Sequence, residues 1–318
     1  MNKTLLALAA VLLLLASPLA AQTGISGLQN GLSSFVNNAP PSLPFAASAG
    51  LDWSDAYIGQ LVDTSFPWVH LGVGFTGGVT SLPTSAINPL LEALGQADLS
   101  TVGLPFTAFN LRLGGLVWPF DMGLKIGFLP PGLTANGLSY TYSSLGFDVR
   151  YNLLKDDLLW PNVSVGGGVN YMSAVASGSY GNQVTYSDGT GNTLILSKPK
   201  LDMKLSSLEF EAKAQVSKTF LFILTPYLGL TAFYGTGHAE AAATSNISTT
   251  GQPVSYWQQY VPGITNTGFT KSNDQGSFGM KIWGGTSFDV LVVKFDFQGM
   301  YSLFDGAYGG TAGVRIQL

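Results

Sequence analysis

The chain has 318 residues, of which 46% are apolar, 12% aromatic and only 10% charged, and its net charge is −4. Soluble globular proteins carry roughly 25% charged residues, so this composition argues against an ordinary water-soluble enzyme and favours a membrane protein. The weakly acidic balance, without a basic cluster, argues against nucleic acid as a partner. The absence of cysteine excludes disulfides, thiolate catalysis and cysteine-based metal sites.

The first 21 residues have the pattern of a cleaved secretory signal peptide. Lys3 supplies the positive start, residues 5–16 form an apolar run, and residues 17–21 are mostly small. This run is shorter than the roughly 20 apolar residues that span a bilayer as a helix. We therefore predict that the protein is exported and that this segment is removed.

Residues 22–65 form a separate N-terminal segment. Ile25, Leu28, Leu32 and Phe35 recur at helical spacing, and prolines then interrupt the pattern. We predict a plug in the lumen of a barrel. The alternatives are a periplasmic segment and two additional strands.

Residues 66–318 contain segments in which apolar side chains alternate with small or polar ones, the period of a β-strand. The predicted strands are 66–79, 104–118, 120–129, 138–152, 161–176, 200–217, 226–236, 276–287, 290–301 and 308–318. Because a closed barrel satisfies every backbone hydrogen bond in lipid, we predict an all-β fold. It is a transmembrane antiparallel up-and-down β-barrel of about ten strands, within a range of about 8–14.

The polar faces of these strands are predicted to line the barrel lumen. They are rich in Gly, Ser and Asn, and their few charges include opposite neighbours such as Asp148 with Arg150 and Lys294 with Asp296. A narrow polar lumen accommodates such residues, whereas a soluble surface favours a high density of Lys and Glu. The candidate lumen residues are Arg112, Lys125, Asp148, Arg150, Glu209, Glu211, Lys213, Lys281, Lys294, Asp296 and Arg315.

Long and short connections alternate along the chain, as they do between the external loops and periplasmic turns of such barrels. An even strand number then places both ends of the barrel at the periplasmic rim. Tyr256, Trp257 and Tyr260 lie in the long loop 237–275 and are candidates for contact with a sugar or a host surface, with packing of the loop onto the rim as the alternative.

The signal peptide, the alternating strands and the terminal strand 308–318 together resemble outer-membrane β-barrel proteins of diderm bacteria. The sequence also resembles uncharacterised spirochaete barrels in its general character. The resemblance implies outer-membrane lipid and the barrel-assembly machinery as partners. The chain departs from the usual aromatic terminus because it ends in Leu318. A segment before the barrel is similar to the arrangement of long-chain fatty-acid transporters, which implies an inner hatch.

No catalytic, cofactor or metal site is predicted. Residues 72–77 fit the dinucleotide fingerprint G-x-G-x-x-G, but the helix that the fingerprint requires does not follow at once. His70 and His238 form no recognisable catalytic pair, and no G-x-S-x-G motif is present. We therefore do not expect an enzyme.

Two functions remain open. A narrow, porin-like channel or transporter for small or amphipathic solutes would use the lumen residues, whose alternative role is to hold a closed barrel rigid. A structural or adhesive surface protein would act through loops 177–199 and 237–275 instead.

Overall fold

The computed structural model describes residues 25–59, 70–93, 98–115, 118–129, 134–135, 138–157, 159–179, 183–261 and 268–318. The predicted signal peptide, residues 1–21, lies outside the described residues. So does the junction of the two predicted domains at residues 65 and 66, and these boundaries stay predictions.

Fourteen strands occur in the described residues, and ten of them form a closed antiparallel barrel. The strands are β1 Leu71–Leu82, β2 Val102–Gly114, β3 Phe120–Phe128, β4 Thr134–Ala135, β5 Leu138–Leu154, β6 Asn162–Ser179, β7 Val184–Ser187, β8 Thr193–Leu196, β9 Lys200–Ser217, β10 Leu224–Thr244, β11 Ile247–Thr250, β12 Phe269–Val290, β13 Val293–Ser302 and β14 Tyr308–Gln317. β3 pairs with β5, and β14 pairs with both β13 and β1, which closes the barrel. The predicted ten-stranded barrel is confirmed.

The alternation in the sequence corresponds to the two faces of the barrel wall. In β3, Asp121 and Lys125 are fully buried, whereas Ile126 and Phe128 are 50% and 44% exposed. Along β3 the exposed face is therefore apolar and the inner face polar, the inverse of a soluble β-sandwich. This is the distribution expected for a barrel surrounded by lipid.

The two rims of the barrel differ in their connections. The short-connection rim carries the connections β2–β3, β5–β6, β9–β10 and β12–β13, and both ends of the barrel lie there, because the Leu318 amide donates to the Leu71 carbonyl. The long-connection rim carries the other connections. One of these contains helix α3, Thr84–Ala93.

The prediction that all of residues 237–275 form a loop is wrong. β10 continues to Thr244 and β12 begins at Phe269, so their hairpin extends the wall, with Ala239 opposite Asn273. Residues 237–243 are mostly Gly and Ala, which have low strand propensity, so the pairing with β9 on one side and β12 on the other makes this region a strand. A bond of 2.7 Å between His238 Nδ1 and Asp274 Oδ1 links the two strands.

The N-terminal residues enter the barrel. Helix α1, Ile25–Asn38, is followed by a 3₁₀ turn, Pro40–Ser42, and by helix α2, Leu43–Ala47. Helix α1 packs on α3 at the long-connection rim so closely that a Cβ added to Gly31 would lie 2.8 Å from the Leu90 Cα. None of the described helices is long and apolar enough to cross a membrane.

Beyond α2, the chain continues through the barrel to the short-connection rim. The Ile58 amide donates to Asp121 of β3, and Asn162, the first residue of β6, donates to the Tyr57 carbonyl. We call residues 25–58 the inner segment. None of residues 25–59 belongs to a strand, so the described part of the segment does not add the two strands considered from the sequence.

The turn between β9 and β10 carries backbone strain. Leu221 and Phe222 have φ angles of 51° and 59°, a left-handed conformation that costs roughly 1–2 kcal/mol for each non-glycine residue. We expect the double change Leu221→Asn and Phe222→Gly to raise the free energy of unfolding by about 1–2 kcal/mol, measured by urea denaturation in lipid vesicles.

Ile223 in the same turn is the matched control, because it does not have a positive φ. Ile223→Gly should lower the free energy of unfolding slightly, since glycine gains more freedom in the unfolded chain. Equal stabilisation by both changes would contradict an origin in the left-handed backbone.

Candidate functional site in the barrel lumen

The lumen has two zones. Toward the long-connection rim the interior is apolar, where Phe35, Leu43 and Phe45 of the inner segment belong to the same buried cluster as wall residues such as Phe106 and Leu205. Toward the short-connection rim the interior is charged and is filled by residues 47–58. The inner segment thus places its apolar part in the apolar zone and its polar part in the charged zone.

The structure places the eleven predicted lumen residues on the inner face of the wall. Nine of them have 7% or less of their surface exposed. The side chains of Lys294 and Asp296, nearer the short-connection rim, are 14% and 17% exposed. All eleven lie in the charged zone or at its border.

Arg112 is the centre of an ion-pair network in the wall. Its guanidinium lies 2.6 Å from Asp121 and 2.9 Å from Asp148, and Asp121 also pairs with Arg150 at 2.8 Å. These four side chains are almost completely buried, so each charge depends on its partners in place of water. The network joins β2, β3 and β5 across the inner face of the wall.

Two aspartates of the inner segment complete the charged zone. Asp52 lies 3.0 Å from Lys213 and 3.1 Å from Lys281. Asp55 lies 2.8 Å from Arg315 and 3.1 Å from Lys294. Four wall cations therefore have partners that belong to a segment outside the barrel wall.

Backbone groups of the inner segment are also satisfied by the wall. Lys125 donates to the Ala47 and Ala49 carbonyls at 2.8 and 2.7 Å, and Gln215 donates to the Trp53 carbonyl at 2.6 Å. The Trp53 ring centroid lies 5.5 Å from the guanidinium carbon of Arg112 and 4.7 Å from that of Arg315. Buried backbone outside helices and strands requires other hydrogen-bond partners, and side chains of the wall supply them here.

The lumen residues that the sequence prediction omitted include Asp52 and Asp55 of the inner segment and Asp121, Gln215 and Asp289 of the wall. The three wall residues lie on polar faces that alternate in the sequence, so the strand period could have identified them. Asp52 and Asp55 lie in an irregular segment without a period, and no sequence signal relates them to the wall cations.

The three candidate loop residues lie at the long-connection rim. Strands β7, β8 and β11 form a small separate sheet, and helix α4, Val254–Trp257, packs on it. Trp257 is 1% exposed and packs with Leu194 and Val261, whereas Tyr260 is 56% exposed. Of the three residues, Trp257 therefore stabilises the packing of the loop, whereas the Tyr260 side chain is exposed at its surface.

Asp188 organises the tip of this small sheet. Its carboxylate accepts hydrogen bonds from Asn192, Thr190 and Tyr256, and these bonds, the one from Asn192 most, hold the pKa of Asp188 below its usual range. The hydrogen bond with Tyr260 and the one to Asp188 raise the pKa of Tyr256 to about 12. The loop is thus tied together by charge-assisted bonds.

A pocket of about 300 Å³ opens at the long-connection rim. Its lining includes Ser42 of the inner segment, Ser81 at the end of β1 and Tyr308 at the start of β14. The Tyr308 hydroxyl lies 2.7 Å from the Thr101 hydroxyl, and the Tyr308 amide donates to Ser81. The pocket is therefore lined both by the barrel mouth and by the inner segment.

A closed antiparallel barrel with an apolar outer face and a charged, occupied lumen defines a protein of the outer-membrane β-barrel type. No protein-family profile and no curated protein matches the chain. Three of the solved structures to which it is similar come from bacterial outer-membrane proteins. They are the translocator domain of the autotransporter NalP from Neisseria meningitidis (TM-score 0.33, 10% identity, 87% of this chain and 93% of that chain covered), CarO from Acinetobacter baumannii (0.29, 9%, 79% and 98%) and a FadL homologue from Pseudomonas aeruginosa (0.27, 9%, 95% and 99%).

Proposed function

We propose that the protein is a gated conduit of the bacterial outer membrane for small or amphipathic solutes, closed by its inner segment. The observation that carries the proposal is that a separate segment, and not the wall, fills the lumen. Its contacts with the charged zone are ion pairs and hydrogen bonds to backbone carbonyls, which water or a solute can replace one at a time.

The two zones indicate the class of solute. An apolar zone next to a charged zone suits a molecule with an apolar part and a polar head. A lumen occupied by residues 25–58 argues against a permanently open diffusion pore. Passage therefore requires the inner segment to move.

The most deeply buried part of the wall carries a small excess of positive charge. Its charged side chains that are at most 17% exposed are seven cations and six carboxylates, and the inner segment adds Asp52 and Asp55. The cations are Arg112, Lys125, Arg150, Lys213, Lys281, Lys294 and Arg315, and the carboxylates are Asp121, Asp148, Glu209, Glu211, Asp289 and Asp296. A lumen without the segment should therefore favour anions over cations.

The proposal is tested by single-channel conductance of the refolded protein in planar bilayers. We expect low conductance from the full chain and steady, higher conductance from a variant lacking residues 25–58, with a reversal potential that shows anion preference. The heat-dependent gel shift of a folded barrel serves as the control for both forms.

A second variant lacking the β7–β8 hairpin, residues 183–196, is the matched control, since it removes loop and leaves the lumen intact. Its conductance should equal that of the full chain. If the folded variant without residues 25–58 showed no conductance, this result would contradict the proposed conduit.

An adhesive or structural surface protein is the second candidate. The small sheet of β7, β8 and β11 has its own buried core, and it supports the exposed Tyr260. An ordered platform of this kind is better suited to binding than a disordered loop. Loss of surface binding, without loss of conductance, on deletion of residues 183–196 would favour this function.

A further inference from the structure

The Asp52 carboxylate occupies a defined position between two lysines of the wall. Its Oδ1 lies 3.0 Å from the Lys213 ammonium and its Oδ2 lies 3.1 Å from the Lys281 ammonium. Lys213 belongs to β9 and Lys281 to β12, and β10 lies between these strands. All three side chains are at most 2% exposed.

If Asp52 were absent, the wall would still supply close counter-charges to Lys213 but not to Lys281. Lys213 keeps Asp148 at 2.8 Å and Glu211 at 3.0 Å, but the nearest wall carboxylate to Lys281 is Glu211 at 3.9 Å. The other hydrogen bonds of the Lys281 ammonium go to Ser48, again in the inner segment. A buried ammonium without a close counter-charge is costly, so Lys281 depends on Asp52 more than Lys213 does and favours another anion in its place.

Lys125 strengthens this requirement. Its ammonium is fully buried, and its hydrogen bonds go to the Ala47 and Ala49 carbonyls of the same stretch of the inner segment. Departure of residues 47–52 would thus remove partners from three wall lysines together. The vacated position would present the ammonium groups of these lysines, and charge-assisted hydrogen bonds from them to a carboxylate are stronger than neutral ones.

We propose that Lys213 and Lys281 form a carboxylate-binding site of the lumen, and that Asp52 occupies it as a built-in ligand. The carboxylate of a solute takes the place of the Asp52 side chain when the inner segment moves. The role of the site in passage rests on the proposed conduit, but the existence of the site does not.

The geometry selects a single-charged carboxylate. Two oxygens of one group each accept from a different lysine, and Asp148 and Glu211 lie beside Lys213 and repel additional negative charge. The apolar zone lies toward the long-connection rim, where Phe233 is 3% exposed and Leu205 is 6% exposed. An apolar part of the solute would extend in that direction.

The site is tested by chemical rescue in the full chain. Asp52→Ala removes the carboxylate and leaves space for a free acetate ion, which matches the deleted group. We expect the variant to unfold at a lower urea concentration, and acetate present during refolding to restore at least about half of that shift, in a saturable manner. Acetamide, which has the same shape without the charge, should not restore it.

The matched control is Asp52→Ala combined with Lys281→Met, which should lose the response to acetate. Equal rescue by acetamide, or rescue that persists in the double variant, would overturn the site, as would no response to acetate in Asp52→Ala. If Asp52→Ala does not refold alone, refolding yield with acetate against acetamide replaces the urea midpoint as the readout.

This experiment is independent of conductance. A response to acetate in a protein that never conducts would support the site and contradict the conduit. Conductance on removal of residues 25–58, without any response to acetate, would support the conduit and contradict the site.

Discussion

Replacement of Arg112 by methionine is expected to lower the free energy of unfolding by about 3 kcal/mol. Removing one member of a buried ion pair typically costs 3–5 kcal/mol, because the remaining charge stays buried without its partner. The lower end applies here, since Asp121 keeps Arg150 and Asp148 keeps Lys213. Urea denaturation of the protein refolded in lipid vesicles measures the effect.

Arg112 also contacts the inner segment, through a hydrogen bond of 3.2 Å to the Leu51 carbonyl and through the Trp53 ring. Its replacement should therefore loosen the segment as well as the wall. Lysine at the same position should restore little, because it lacks the planar fork that reaches two carboxylates at once.

Lys204→Met is the matched control for this prediction. Lys204 pairs with Glu240 at 2.7 Å, but its side chain is 54% exposed, and exposed pairs contribute about 0–1 kcal/mol. Losses of similar size in Arg112→Met and Lys204→Met would show that the buried network does not hold the barrel together.

The strand period predicts the wall of this protein well because each wall residue faces either the lumen or the outside. The order Asp121, Lys125 on one face and Ile126, Phe128 on the other follows directly from the sequence and is observed in β3. The same rule explains why the predicted lumen charges, from Arg112 to Arg315, lie on the inner face.

The sequence predicts the structure less well where it depends on contacts between residues that are distant in the chain and not on a periodic pattern. Residues 237–243 form a strand because both β9 and β12 pair with them, which their Gly and Ala content does not indicate. The path of residues 47–58 depends on hydrogen bonds from Lys125, Gln215 and Arg150, all distant in the sequence. Helix α1 was indicated by its spacing, but its position against α3 was not.

The inner segment should be displaced when Gly237 of β10 is replaced by leucine. A Cβ at this position would lie 2.1 Å from the Pro40 carbonyl oxygen and 2.9 Å from the Pro40 Cα, and backbone atoms of the segment must move to make room. Overpacking of this kind costs about 1–3 kcal/mol, which corresponds to a roughly 5- to 150-fold increase in the released population.

Chymotrypsin cleavage of the refolded protein, located by mass spectrometry, measures that population, because Phe35, Phe45, Trp53 and Tyr57 are buried while the segment is seated. Gly299→Leu is the matched control, since a Cβ at Gly299 meets no atom within 4 Å and leucine there should leave cleavage unchanged. The Gly237 variant should also raise conductance if the segment closes the lumen. Increased cleavage without increased conductance would mean that the lumen stays closed after the inner segment is released. The ion-pair network around Arg112, and not residues 25–58, would then be the gate.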